Sequence, residues 1–177
     1  MRKTLVILAL LCSFFTLHAQ QDDRGYIVKV GDMAPDIDIV YVDGQQKKLS
    51  DFRGKLVMIQ FTASWCHVCR TEMPFIEKDI WQKHKDNDNF VLLGIDLKET
   101  KEKTISFTKE IGITYPLTLD LKGDSFYSFA ARGAGVTRNI IIDPEGKIIL
   151  MTRLYAEKEF KEMCREIDRQ LEKMEKK

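Results

Sequence analysis

Two apolar runs of strand length set the strongest limit on how this chain can fold. Residues 56–61 and 90–96 are each almost continuously hydrophobic, which is the pattern of strands that are covered on both faces of a sheet. A sheet that is buried on both faces needs a layer of helices on each side. The sequence therefore predicts a three-layer α/β fold with a central mixed sheet and flanking helices.

The remaining predicted elements alternate in the order that such a fold requires. Alternating apolar residues at 37–41 and the Asp43-Gly44 turn predict an N-terminal hairpin, and residues 26–28 are also strand-like. Further strands are predicted at 115–119, 139–143 and 147–152, and helices at 66–84, 99–111, 124–131 and 157–176. Pro74 lies inside the first helix and predicts a kink there. We expect one domain over residues 20–177.

Residues 1–19 have the pattern of a secretory signal peptide. A basic start at Arg2 and Lys3 precedes an apolar run from Leu5 to Leu17, and Ala19 stands before a polar stretch. The apolar run is shorter than the roughly 20 residues that a membrane-spanning helix needs, so a cleaved leader is favoured over a retained membrane anchor. The expected location is the periplasm or the cell exterior, where thiols can be oxidised.

Composition restricts the function further. With 28 basic and 27 acidic residues, the chain lacks the Lys/Arg excess that nucleic-acid binding requires. Four cysteines are too few for a disulfide scaffold in a chain of 177 residues. Cys12 lies in the predicted leader, and Cys164 lies on the apolar stripe of the last helix, where we expect a buried, inert thiol.

The other two cysteines, Cys66 and Cys69, stand at a predicted strand-to-helix junction. Unpaired N–H groups and the helix dipole favour a thiolate at that position, and the thiolate is the nucleophile of disulfide exchange. A second thiol one turn along can resolve a mixed disulfide. A structural disulfide and a metal or copper site are the alternatives. Only His67 and His84 follow the leader as histidines, whereas zinc usually takes four ligands; we expect His84 to face solvent.

The string from Trp65 to Pro74, WCHVCRTEMP, resembles the TlpA/ResA-type branch of the thioredoxin-like proteins, within the AhpC/TSA–thioredoxin-like superfamily. The resemblance includes residues 30–36, 49–55 and 140–147. It implies a thioredoxin fold and extracytoplasmic thiol:disulfide exchange with protein substrates, with the reductase direction favoured. It also implies a membrane thiol as electron donor. We expect a monomer and no bound cofactor beyond the redox-active disulfide.

The motif match assigns roles to individual residues. Cys66 would attack the substrate, Cys69 would resolve the mixed disulfide, and Glu72 would be the acid–base group near the pair. Predicted substrate contacts are Trp65, His67, Val136 and Thr137. A protonated His67 would stabilise the neighbouring thiolate and make the disulfide more oxidising.

Several positions depart from the pattern of the resembling proteins. Thr137 stands where they carry a cis-proline, and a non-proline cis bond costs about 3–4 kcal/mol, so the loop either retains that strain or becomes trans. Gln60 stands where cytoplasmic thioredoxins place a buried aspartate, and Thr62 replaces a tryptophan that is often found there. Gln60 cannot exchange a proton as a carboxylate does, so Glu72 is the more important candidate for the acid–base group.

The enzymatic alternative is a thiol peroxidase of the AhpC/TSA type. Such enzymes need a Pro-x-x-x-Thr-x-x-Cys string, and this chain has Ile59 and Ala63 at the proline and threonine positions before Cys66. The sequence therefore favours disulfide exchange over peroxide reduction.

Overall fold

The computed structural model describes residues 24–176, so the predicted signal peptide at 1–19 and Cys12 lie outside the described residues. Within these residues, a seven-stranded mixed sheet has the order β2-β1-β5-β4-β3-β6-β7. The strands are β1 (Asp38–Tyr41), β2 (Gln46–Lys48), β3 (Leu56–Thr62), β4 (Phe90–Leu97), β5 (Leu117–Asp120), β6 (Arg138–Ile142) and β7 (Ile148–Arg153). The helices that flank it are α1 (His67–Ile76), α2 (Gln82–His84), α3 (Lys101–Ile111), α4 (Asp124–Tyr127) and α5 (Glu157–Glu175).

The two apolar runs form the centre of this sheet. Strands β3 and β4 pair in parallel along the whole of β3, from Leu56 opposite Phe90 to Thr62 opposite Asp96. Strand β6 pairs with the other edge of β3 in the antiparallel sense. Every residue of β3 is buried. The predicted α/β fold with a central mixed sheet and an N-terminal hairpin, formed by β1 and β2, is confirmed.

Some predicted elements differ in extent, each for a local reason. Residues 26–28 do not form a strand in the described part of the chain, where Tyr26 makes an isolated bridge with Ala130. The helix predicted over 66–84 is interrupted, because a π-helical segment at Glu77–Trp81 follows α1 and its internal Pro74. A proline lacks the N–H that continues the helical hydrogen-bond ladder. Helix α4 is one turn long, and the Asp120 carboxylate accepts the N–H groups of its first residues.

Two side chains at the C-terminal helix differ from their predicted burial: His84, which contacts this helix, and Cys164, which lies on it. The prediction that His84 faces solvent is wrong: its side chain is 12% exposed, and Nε2 lies 2.8 Å from Oδ1 of Asp168 on α5. Cys164 on the same helix is half-buried rather than fully buried. Burial raises the pKa of its thiol to about 11. None of the helices within residues 24–176 is both long and apolar enough to cross a membrane.

Candidate active site

The Cys66–Cys69 disulfide lies at the start of α1, just after the end of β3. Cys66 is the N-cap of α1, and its Sγ accepts a hydrogen bond from the Cys69 N–H at 3.2 Å. Cys66 keeps 8% of its surface exposed, whereas Cys69 has none. The cysteine that keeps some exposure is therefore also the one whose sulfur receives a helix N-terminal N–H, which favours negative charge on that sulfur.

Thr137 lies against both sulfur atoms. Its Oγ1 is 3.0 Å from Cys66 Sγ and 3.1 Å from Cys69 Sγ. Every peptide bond within residues 24–176 is trans, so of the two outcomes expected at this position the structure has the trans loop. The Thr137 φ is +64°, a left-handed conformation that costs a β-branched residue on the order of 1–3 kcal/mol.

Glu72 lies one helical turn beyond Cys69, where only 1% of its surface is exposed. Its Oε1 accepts a hydrogen bond of 2.8 Å from Nδ2 of Asn139. Burial raises the pKa of Glu72 to about 7, and the amides of Asn139 and Gln60 act in the opposite direction. Gln60 is itself buried and accepts a 2.7 Å hydrogen bond from the Tyr115 hydroxyl. A carboxyl in these surroundings can take up and release a proton near neutral pH.

A second buried carboxyl group holds the loop that leads into Cys66. Glu99 accepts hydrogen bonds from the Ser64 N–H at 2.7 Å and from the Ser64 hydroxyl at 2.6 Å. Asp96 is also buried and accepts a 2.7 Å hydrogen bond from Thr104. Burial raises the pKa of Asp96 to about 7, and the negative charge of Glu99 adds to that effect.

The contact between Glu99 and Ser64 was not predicted from the sequence, although the sequence contains a signal for it. Asp96 and Glu99 lie at and just after the carboxyl end of β4, and β3 ends at the same edge of the sheet because the two strands are parallel. Side chains that follow neighbouring parallel strands meet at that edge. Once β3 and β4 are taken as neighbours, both acidic residues are candidates for contact with the loop before Cys66.

The predicted substrate-contact residues near the two cysteines differ in their exposure to solvent. Trp65 is 65% exposed, and His67 is exposed on the first turn of α1. Val136 is buried, with 3% of its surface exposed. The contacts of these residues with a substrate stay predictions, as does the substrate contact of Thr137. Within residues 24–176, no group of three or more His, Cys, Asp or Glu side chains is arranged to hold a metal ion.

A mixed sheet flanked by helices, with a Cys-x-x-Cys disulfide at the first helix after a central strand, defines a thioredoxin-like thiol:disulfide oxidoreductase. The AhpC/TSA family model matches residues 30–151, most of the chain. The chain belongs to this family, and the predicted TlpA/ResA-type resemblance is confirmed.

Individual relatives agree with that assignment. The thiol-disulfide oxidoreductase ResA of Geobacillus thermodenitrificans is 28% identical over 150 residues, which cover 84% of this chain and 83% of the relative. A solved candidate protein disulfide isomerase from Bacteroides thetaiotaomicron is 58% identical with a TM-score of 0.81, covering 84% of this chain and 93% of that one. A candidate thiol:disulfide interchange protein DsbE from Chlorobium tepidum is 26% identical with a TM-score of 0.70, covering 81% and 99%.

Proposed function

We propose that this oxidoreductase works outside the cytoplasm and reduces disulfides in protein substrates, with Cys66 as the attacking thiol. The observation that supports these roles is the difference between the two sulfurs. Cys66 caps α1 and is partly accessible, whereas Cys69 is fully buried. A bulky protein disulfide can approach the first cysteine and not the second.

The proposed cycle begins with the reduced pair. The Cys66 thiolate attacks a substrate disulfide, a Cys66–substrate S–S bond forms, and the first substrate sulfur leaves as a thiolate. Cys69 then gives its proton to Glu72 and attacks Cys66 Sγ. The Cys66–Cys69 disulfide forms, and the second substrate sulfur leaves and takes up the proton. Two electrons pass from the enzyme to the substrate, and no bound cofactor takes part.

Regeneration of the dithiol needs an external reductant, which we propose to be a membrane thiol donor on the extracytoplasmic side. The reductase direction is supported by the resemblance to the TlpA/ResA branch, while an exposed His67 next to Cys66 would favour the opposite direction. Equilibration with glutathione measures the reduction potential. A value near about −270 mV supports the reductase, and one near about −120 mV contradicts it.

Covalent trapping tests the roles of the cysteines. In Cys69→Ser the mixed disulfide on Cys66 cannot be resolved, so substrate proteins should remain attached and be released by reductant. The matched control is Cys66→Ser, and both variants carry Cys164→Ser so that the free thiol adds no background. Equal trapping by both variants would contradict the assignment of Cys66 as the attacking thiol.

Location and chemistry have separate tests. Fractionation should place the protein outside the cytoplasm, and the mass of its mature N-terminus should match cleavage after Ala19; a full-length chain in the cytoplasmic fraction would contradict the proposal.

Hydrogen peroxide consumption by the dithiol should not exceed that of a free thiol. Consumption far above that level would favour the thiol peroxidase.

A further inference from the structure

The hydroxyl group of Thr137 contacts the two reacting atoms of the enzyme. It lies 3.0 Å from Cys66 Sγ and 3.1 Å from Cys69 Sγ. In the disulfide neither sulfur carries a hydrogen atom, so the hydroxyl is the donor in these contacts. One side chain therefore offers its proton to both members of the redox pair.

The backbone of Thr137 is held in place by the sheet. Its N–H donates to the Phe61 carbonyl at 3.2 Å, and its own carbonyl accepts the Leu154 N–H at 3.0 Å. These bonds tie the residue to the end of β3 on one side and to the residue after β7 on the other. They hold Thr137 at a φ of +64°, with 2% of its surface exposed. The hydroxyl is thus kept beside the sulfurs instead of being free to turn into solvent.

We propose that Thr137 is a catalytic residue, whose hydroxyl donates a hydrogen bond to whichever sulfur of the pair carries negative charge. The proposal rests on the roles proposed above for Cys66 and Cys69. Before attack, the hydroxyl donates to the Cys66 thiolate. In the reverse reaction, a substrate thiolate attacks Cys66 Sγ, the Cys66–Cys69 bond breaks, and Cys69 leaves with the electron pair. The same hydroxyl then donates to the Cys69 thiolate.

The contacts of the two sulfurs explain why this donor matters. Cys66 Sγ also receives the Cys69 N–H at 3.2 Å. For Cys69 Sγ, the hydrogen-bond contact found within residues 24–176 is the Thr137 hydroxyl. Hydrogen bonds to a charged partner are stronger than those between neutral groups, and a buried thiolate without them is costly. A proline at this position has no hydroxyl group, so the substitution gives this chain a donor that the resembling proteins lack there.

The test compares variants that differ in the hydroxyl group. Thr137→Val keeps the branched shape and removes the donor, whereas Thr137→Ser keeps the donor. The control is Thr62→Val, which makes the same change at a buried threonine whose hydroxyl contacts Met73 Sδ at 3.4 Å rather than a cysteine. All are made with Cys164→Ser, and the reduced proteins are alkylated with iodoacetamide across a range of pH.

We expect the pKa of the Cys66 thiol to be higher in Thr137→Val than in the parent protein, and this rise to be absent from the other two variants. A shift of about one pH unit means about tenfold slower alkylation below the midpoint. At a pH above both midpoints, the equilibrium with glutathione should move about tenfold toward the disulfide, equivalent to about 30 mV. Thr137→Ser and Thr62→Val should keep the midpoint of the parent protein.

An unchanged midpoint in Thr137→Val, or an equal shift in Thr62→Val, would overturn the proposal. If Thr137→Val fails to fold, Thr137→Ala against Thr137→Ser makes the same comparison between two small side chains. Alkylation uses no protein substrate, so its outcome does not depend on whether the enzyme is a reductase. Conversely, failure to trap a substrate on Cys66 would leave the thiolate measurement unaffected.

Discussion

Replacing Glu72 by glutamine should remove a large part of the pH dependence of folding stability. Burial raises the pKa of Glu72 from an ordinary 4.5 to about 7. Below pH 4.5 the carboxyl is protonated in both the folded and the unfolded chain. As the pH rises toward 7, the unfolded chain loses this proton first, so the folded state loses stability; above pH 7 both are ionised and the loss is complete.

The size of the effect follows from the shift in pKa. One pKa unit corresponds to about 1.4 kcal/mol, so the complete loss is about 3 kcal/mol, of which about 2 kcal/mol falls between pH 5 and pH 8. A glutamine does not ionise, and its oxygen can still accept the hydrogen bond from Asn139. The free energy of unfolding of Glu72→Gln should therefore fall by about 2 kcal/mol less than that of the parent over this interval.

Urea unfolding of the oxidised protein at pH 5 and pH 8 measures this difference, because the active-site cysteines do not titrate in the disulfide. Glu172→Gln, at an exposed glutamate on α5, is the matched control and should follow the parent. Asp96 contributes its own pH dependence to every variant, so it cancels in the comparison. If Glu72→Gln loses as much stability as the parent between the two pH values, the argument from burial is refuted.

Two substitutions and one labelling measurement test the packing of the domain. Ser64→Ala should lower the free energy of unfolding by about 1–3 kcal/mol in urea, because the buried Glu99 carboxylate loses a donor; no change would mean that the Ser64–Glu99 contact does not anchor the loop. Gly94→Ala should cost about 1–3 kcal/mol in the same assay, since an added Cβ meets the Leu117 side chain, and a neutral result would contradict this close packing. Iodoacetamide should label Cys164 at pH 7 at least about tenfold more slowly in the native protein than in urea, since burial raises the pKa of its thiol; equal rates would refute this.

The agreement between sequence and structure is best where a signal is local. The apolar run 56–61 has the burial of a central strand in β3. Gly112 ends α3 in the left-handed conformation expected of a C-terminal glycine. The apolar stripe of the last helix supplies the buried face of α5. Each of these patterns lies within one element, so neighbouring residues are enough to predict it.

The errors occur where a contact comes from a distant part of the chain. His84 lies between two lysines, which made an exposed position the natural expectation. Asp168, 84 residues later, bonds to it. Residues 26–28 have the composition of a strand, yet within residues 24–176 their pairing is limited to the isolated bridge of Tyr26 with Ala130.

Local patterns of residues are enough to predict the class of the fold, the position of Cys66 and Cys69 at the start of a helix, and hence the chemistry of disulfide exchange. The contacts of the sulfurs and of Glu72 depend on how distant segments pack together. Thr137 reaches Cys66 across 71 residues, and Glu72 meets Asn139 across 67. Both contacts exist because β6 pairs beside β3. Strand order arises from long-range hydrogen bonding and packing, which the periodicity of a single segment does not encode.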